Sequence, residues 1–134
     1  MIKSTKTKFV EEYAINASAK ILYPYLSTAG GLVQWFCDDV VVEENKVFNF
    51  LWDGSNHYAE LTNYRLNRSV RFMFLDENRN HVSDASYIDF SIETSELTQE
   101  QFLKVTDYSE ENDVEELAEL WDHLMQKLRE IVGG

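Results

Sequence analysis

The chain has 134 residues, 44% of them hydrophobic and 13% aromatic, which is enough for one packed domain with its own core and excludes a disordered segment. Its 24 acidic residues against 12 basic ones give a net charge of −12, which repels phosphate backbones and anionic headgroups and so excludes nucleic acid as an expected partner. A single cysteine, Cys37, rules out an internal disulfide, and no apolar run reaches the roughly 18 residues needed to span a bilayer.

The opening MIKSTKTKF has no apolar stretch of the secretory kind, so the expected setting is a reducing cytoplasm without membrane insertion. From Thr7 to Asn16, Phe9, Tyr13 and Ile15 recur with period two and predict a first strand, its apolar face interrupted by Glu11. Ser18 is an N-cap for a helix to Leu26 with Ile21, Leu22, Tyr25 and Leu26 on one stripe, and Pro24 inside it predicts a kink. Gly30 and Gly31 are expected to break that helix, after which a second short helix or turn carries Leu32, Trp35 and Phe36 inward.

The pattern then changes to strands at Val40 to Glu43, Lys46 to Trp52, His57 to Leu66, Ser69 to Leu75, Ser86 to Glu93 and Gln101 to Tyr108, each bounded by turn formers. Turns this short cannot connect parallel neighbours, so these strands form an antiparallel meander. One face of it collects Phe48, Phe50 and Trp52, Ala59 and Leu61, Phe72 and Phe74, Ile88, Phe90 and Ile92, and Leu103 and Val105. Only the last element is long enough to cover that face. Asn112 is read as its cap with Glu115 completing a capping box, Gly133 and Gly134 end it, and Val114, Leu117, Ala118, Trp121, Leu124, Met125, Leu128, Ile131 and Val132 form its apolar stripe. The predicted class is α+β, a curved antiparallel sheet with two short helices and a long C-terminal helix.

This order of elements resembles the START-like (SRPBCC, helix-grip) superfamily over essentially the whole chain, as one domain of residues 1–134. The stretch YAINASAKILYPYLSTAGGLVQWF resembles the family's opening through Ile15, Gly31, Leu32, Trp35 and Phe36, and the tail LWDHLMQKLREIV resembles its last helix through Trp121, Leu124 and Leu128. A WFxDxV-type segment (Trp35, Phe36, Asp38, Val40) and VTDYSEEND before the last helix are similar to small bacterial START-like proteins near the activators of the Hsp90 ATPase. Pro24 departs from the pattern, lying deeper in its helix than in many relatives.

The resemblance implies a cavity between sheet and helix that holds a small hydrophobic or amphipathic molecule, lipid-like or polyketide-like. The residues expected to contact it are Trp35, Phe50, Trp52, His57, Phe72, Phe90, Trp121 and Met125, with Trp35, Trp52, His57 and Trp121 at the mouth. The competing reading is a protein-interaction module that docks a partner through the acidic SEENDVEELAE segment, which is otherwise a solvated helix face. An enzyme of the cyclase or hydratase kind would need an acid or base in the pocket, and Glu11, His57 and Arg71 are the candidates. No cofactor or metal is expected: His57, His81 and His123 lack ligand spacing, and His81 is read as solvated. The two aspartates after Cys37 disfavour its thiolate, which makes it a packing residue.

Overall fold

The computed structural model describes residues 5–133; residues 1–4 of the opening segment and Gly134, read above as part of the helix end, lie outside the described residues. The elements run β1 (Thr7–Ile15), α1 (Ala19–Ser27), α2 (Ala29–Leu32), β2 (Asp39–Val42), one 3₁₀ turn (Glu44–Lys46), β3 (Val47–Trp52), β4 (Ser55–Arg65), β5 (Ser69–Phe74), β6 (Tyr87–Thr94), β7 (Gln101–Ser109) and α3 (Val114–Val132). The seven strands form one antiparallel sheet in the order β1-β7-β6-β5-β4-β3-β2. The six later strands make the expected meander, and β1 closes it from the far side by pairing with β7.

Strand parity holds from sequence to structure. Phe48, Phe50, Ala59, Phe72, Ile88, Phe90, Leu103 and Val105 are buried on one face, while Trp52, Leu61, Phe74 and Ile92 pack half-buried at its margins. Asp53 and Gly54, with φ of 51° and 78°, form a tight turn between β3 and β4 in which both positions need positive φ, and Trp52 consequently pairs with Ser55. That register points Phe50 and Trp52 inward. Glu11 shares the parity of Phe9 and Tyr13 but is exposed on the edge strand β1, so the structure removes it as a buried acid. Arg71 lies on the outer face, paired with Asp89 at 3.0 Å.

The helices differ from expectation in detail. Ser18 caps α1 as predicted, accepting from Ile21 N at 3.3 Å, but Ile21 is exposed, and Tyr23 is buried instead with its hydroxyl donating to Ser69 O at 2.9 Å. The two glycines do not end α1. Thr28, in extended conformation, stops it and caps α2 by accepting from Gly31 N at 3.1 Å, so Gly30 and Gly31 lie inside α2. Gly31 is required for another reason: a Cβ there would fall 2.2 Å from Pro24 O and 2.5 Å from Tyr25 Cα, so only glycine lets the two helices approach. Gly31→Ala is expected to cost at least about 1–3 kcal/mol as overpacking against backbone that cannot yield, whereas Gly30→Ala, with open space around it, should be close to neutral. Equal urea midpoints for the two variants would refute the close-approach argument.

Helix α3 is capped by Asp113 rather than Asn112. Its carboxylate accepts from Glu115 N at 3.1 Å and Glu116 N at 3.2 Å, and a full negative charge at the helix start gains from the macrodipole what a neutral asparagine would not. Gly133, at φ 105°, ends the helix with its N–H on Arg129 O. The stripe packs through Leu117, Trp121, Met125 and Leu128, which are buried; Ala118, Leu124, Ile131 and Val132 are partly covered, and Val114 is exposed. No helix among the described residues is long and apolar enough to cross a membrane.

Candidate functional site

Beside the N-terminal half of α3, a cleft of about 1090 Å³ opens between α3, the segment after α2, the β3–β4 turn and the end of β7. Trp35, Phe36, Trp52 and Trp121 line it, and Leu117, Leu120 and Leu124 form its helix side. Phe36 is the hub of the wall, with ring centroids 5.4 Å from Trp35, 5.2 Å from Trp52 and 6.1 Å from Trp121. The indoles are held by hydrogen bonds as well as by packing. Trp35 Nε1 donates to Tyr25 O and Trp52 Nε1 to Phe36 O, each at 2.8 Å, which fixes both rings against backbone.

Of the eight residues expected to contact a ligand, Trp35, Trp52, His57 and Trp121 line the cleft, and Phe50, Phe72, Phe90 and Met125 do not. Those four are fully buried, and Trp35 and Trp121 are as well at 1% exposed, so of the eight only Trp52 and His57 present surface to the cleft; Phe50 stacks on Trp52 at 5.5 Å and Phe90 meets Trp121 edge-on at 5.9 Å beneath it. The reason is coverage, because α3 packs Leu117, Trp121, Met125 and Leu128 onto the inner face and leaves only its margin open. His57 is exposed at the rim, 4.9 Å from the Trp52 ring. His81 is not simply solvated but pairs with Glu60 at 2.5 Å, and His123 is exposed on α3.

The sequence reading missed Asp107. It continues the inner-face alternation of Leu103 and Val105 on β7, stands between Phe9 on β1 and Ile88 on β6 in the sheet register, and is only 7% exposed. Trp121 Nε1 donates to its Oδ2 at 2.9 Å, linking the strand to α3. The signal was present: a carboxylate at a core parity position is rarely buried without a dedicated partner. Asp38 has a different task. Its Oδ2 accepts from Asp53 N at 2.8 Å and ties the β3–β4 turn to the segment after α2, so one polar contact holds two walls of the cleft together.

Cys37 also lines the cleft, and burial, with Asp38 and Asp39 adding to it, pushes its thiol up to about 12. A nucleophilic thiolate is therefore absent near neutral pH. Because the folded state holds this proton more tightly than the unfolded state, its contribution to stability is complete below the unfolded thiol value and is lost as pH rises toward 12. The urea midpoint should fall between about pH 9 and 11, and Cys37→Ala should make that fall shallower. Parallel pH profiles would show that the thiol does not contribute.

The domain model of the START-like superfamily matches residues 3–134. The chain belongs to the START-like superfamily. BfR322 of Bacteroides fragilis, solved by solution NMR, is 35% identical over 96% of this chain and 93% of its own, with a TM-score of 0.61. The Aha1 dimer of Colwellia psychrerythraea shares the fold at 19% identity, with 94% and 96% of the two chains covered and a TM-score of 0.72. CalU16 of Micromonospora echinospora does so at 12% identity, 96% and 74% coverage and a TM-score of 0.66. Comparison with curated proteins gave no match.

Proposed function

We propose that this START-like chain is a binding module that holds a small hydrophobic or amphipathic molecule in the cleft between α3 and the open end of the sheet. The observation that carries the reading is the cleft itself: about 1090 Å³, with the half-buried Trp52 held at its wall by a backbone hydrogen bond above a packed layer of Trp35, Phe36 and Trp121, which is large enough for a ligand of drug or lipid-fragment size. The single cysteine and the acidic surface suit a cytoplasmic carrier. Of the three acid–base candidates, Glu11 sits on the exposed edge strand and Arg71 on the outer face, and His57 stays at the cleft rim.

Trp52 is half-buried at the cleft and the buried Trp35 and Trp121 lie beneath it, so intrinsic fluorescence reports on ligand entry chiefly through Trp52. Titration with apolar and amphipathic probes should change tryptophan emission saturably. Trp52→Ala, at the half-buried margin, should weaken binding by about tenfold or more while costing less stability than truncation of buried Trp121. Absence of a saturable response across sterol, acyl and aromatic probes would overturn the ligand reading and leave the protein-interaction module, whose partner should be lost from pull-downs as salt rises.

A further inference from the structure

We infer that the cleft selects ligands carrying a protonated amine on an apolar body, and that Asp107 is the residue that reads the amine. The inference rests on the ligand-binding reading above and specifies the chemistry of its occupant.

Asp107 is 93% buried, and burying a carboxylate is costly unless its oxygens are satisfied. Trp121 satisfies Oδ2. Among the described residues no hydrogen bond engages Oδ1 and no cation pairs with the group; the ion pairs there are Arg71–Asp89, Arg79–Glu43 and His81–Glu60. Oδ1 is also not sealed in the core, since the one buried side-chain polar atom without a partner among the described residues is the Tyr13 hydroxyl. Asp107 lines the cleft, so its second oxygen is an acceptor presented to whatever enters.

The surroundings select the sign of that ligand. Asp38, Asp53, Glu77, Glu110 and Glu111 line the same cleft, against a single ammonium, Lys127, which is exposed on α3. An anionic headgroup would meet five rim carboxylates and a buried sixth; an alkylammonium would meet attraction at the rim and a charge-assisted hydrogen bond at Asp107. Fatty acids and phosphorylated lipids are thereby disfavoured. The apolar remainder of the ligand would lie along Trp52, Leu120 and Leu124 toward the mouth.

The test uses three probes of equal chain length, decylamine, decanol and decanoate, titrated below their aggregation concentrations at pH 7 and followed by tryptophan fluorescence and calorimetry. Decylamine should bind at least about tenfold more tightly than decanol, and decanoate more weakly than either. Asp107→Asn keeps an oxygen for Trp121 while removing the charge, and should lower decylamine binding about tenfold or more, to the level of decanol. Equal binding of all three probes, tighter binding of decanoate, or an amine preference that survives Asp107→Asn and so belongs only to the general acidity of the surface, would each overturn the inference while leaving the binding module intact. Failure of all three to bind would overturn the inference, and the binding module falls with it only if sterol and aromatic probes fail as well. If Asp107→Asn does not fold, the decylamine-to-decanol ratio of the unaltered chain is measured at low and high salt: a preference held by the buried Asp107 should persist, and one that disappears as salt screens the rim carboxylates would overturn the inference.

Discussion

Trp121→Ala is expected to cost about 3–5 kcal/mol, which makes it one of the most damaging truncations in the chain. Two effects add. The indole is 1% exposed and packs against Phe36 and Phe90, so its removal leaves a large void in a part of the core that α3 closes. It also strands Asp107, whose Oδ2 loses the donor that makes its burial tolerable. Trp121→Phe separates the two, because it keeps most of the ring but removes the N–H, and should cost about 1–3 kcal/mol. Combining Trp121→Phe with Asp107→Leu removes both halves of the polar contact and should recover part of that loss. Urea unfolding of the three variants checks the argument: if Trp121→Phe were as stable as the unaltered protein, the hydrogen bond to Asp107 would carry no weight in the fold.

Leu128→Ala should cost about 2–5 kcal/mol, since Leu128 has no exposed surface and its removal opens a void between α3 and the sheet. The helical period equally puts Leu124 on the packed stripe, where truncation would cost the same. The structure changes that expectation, because Leu124 is only partly buried and forms a side of the cleft. Leu124→Ala should therefore cost about 1 kcal/mol, the partial loss of one leucine's burial without a sealed void. The difference between the two urea midpoints measures where α3 leaves the sheet. Equal losses at both positions would mean that the helix packs flush over its whole length and that the cleft is closed in solution.

The inner face of the sheet was legible because β-structure has a period of two and the hairpins are short: Phe48, Phe50, Phe72, Phe90, Leu103 and Val105 follow from alternation alone. The same rule placed Trp52 toward the interior, and the helical period of α3 did so for Trp121. It could not separate core from lining. Phe50 and Trp52 have the same parity, and whether a side chain on that face is sealed or presented to a cleft depends on the tilt of α3, which no spacing along the chain encodes. Asp107 was overlooked for a related reason. A polar residue breaks an apolar alternation, and only the approach of the Trp121 N–H shows that the alternation in fact continues through it.

By itself, then, the sequence determined the element order, the meander from β2 to β7, the apolar face and the covering helix, because each depends on local periodicity and on turns too short to allow alternatives. Tertiary structure alone decided the rest. It set β1 beside β7, buried Tyr23 in place of Ile21, and moved the stop of α1 from the glycines to Thr28. It also left Glu11 in solvent and brought a carboxylate from β7 under an indole from α3 at the floor of an aromatic cleft. Each of these depends on which surfaces meet across long stretches of chain, where packing and the satisfaction of buried polar atoms, and not local propensity, select the arrangement.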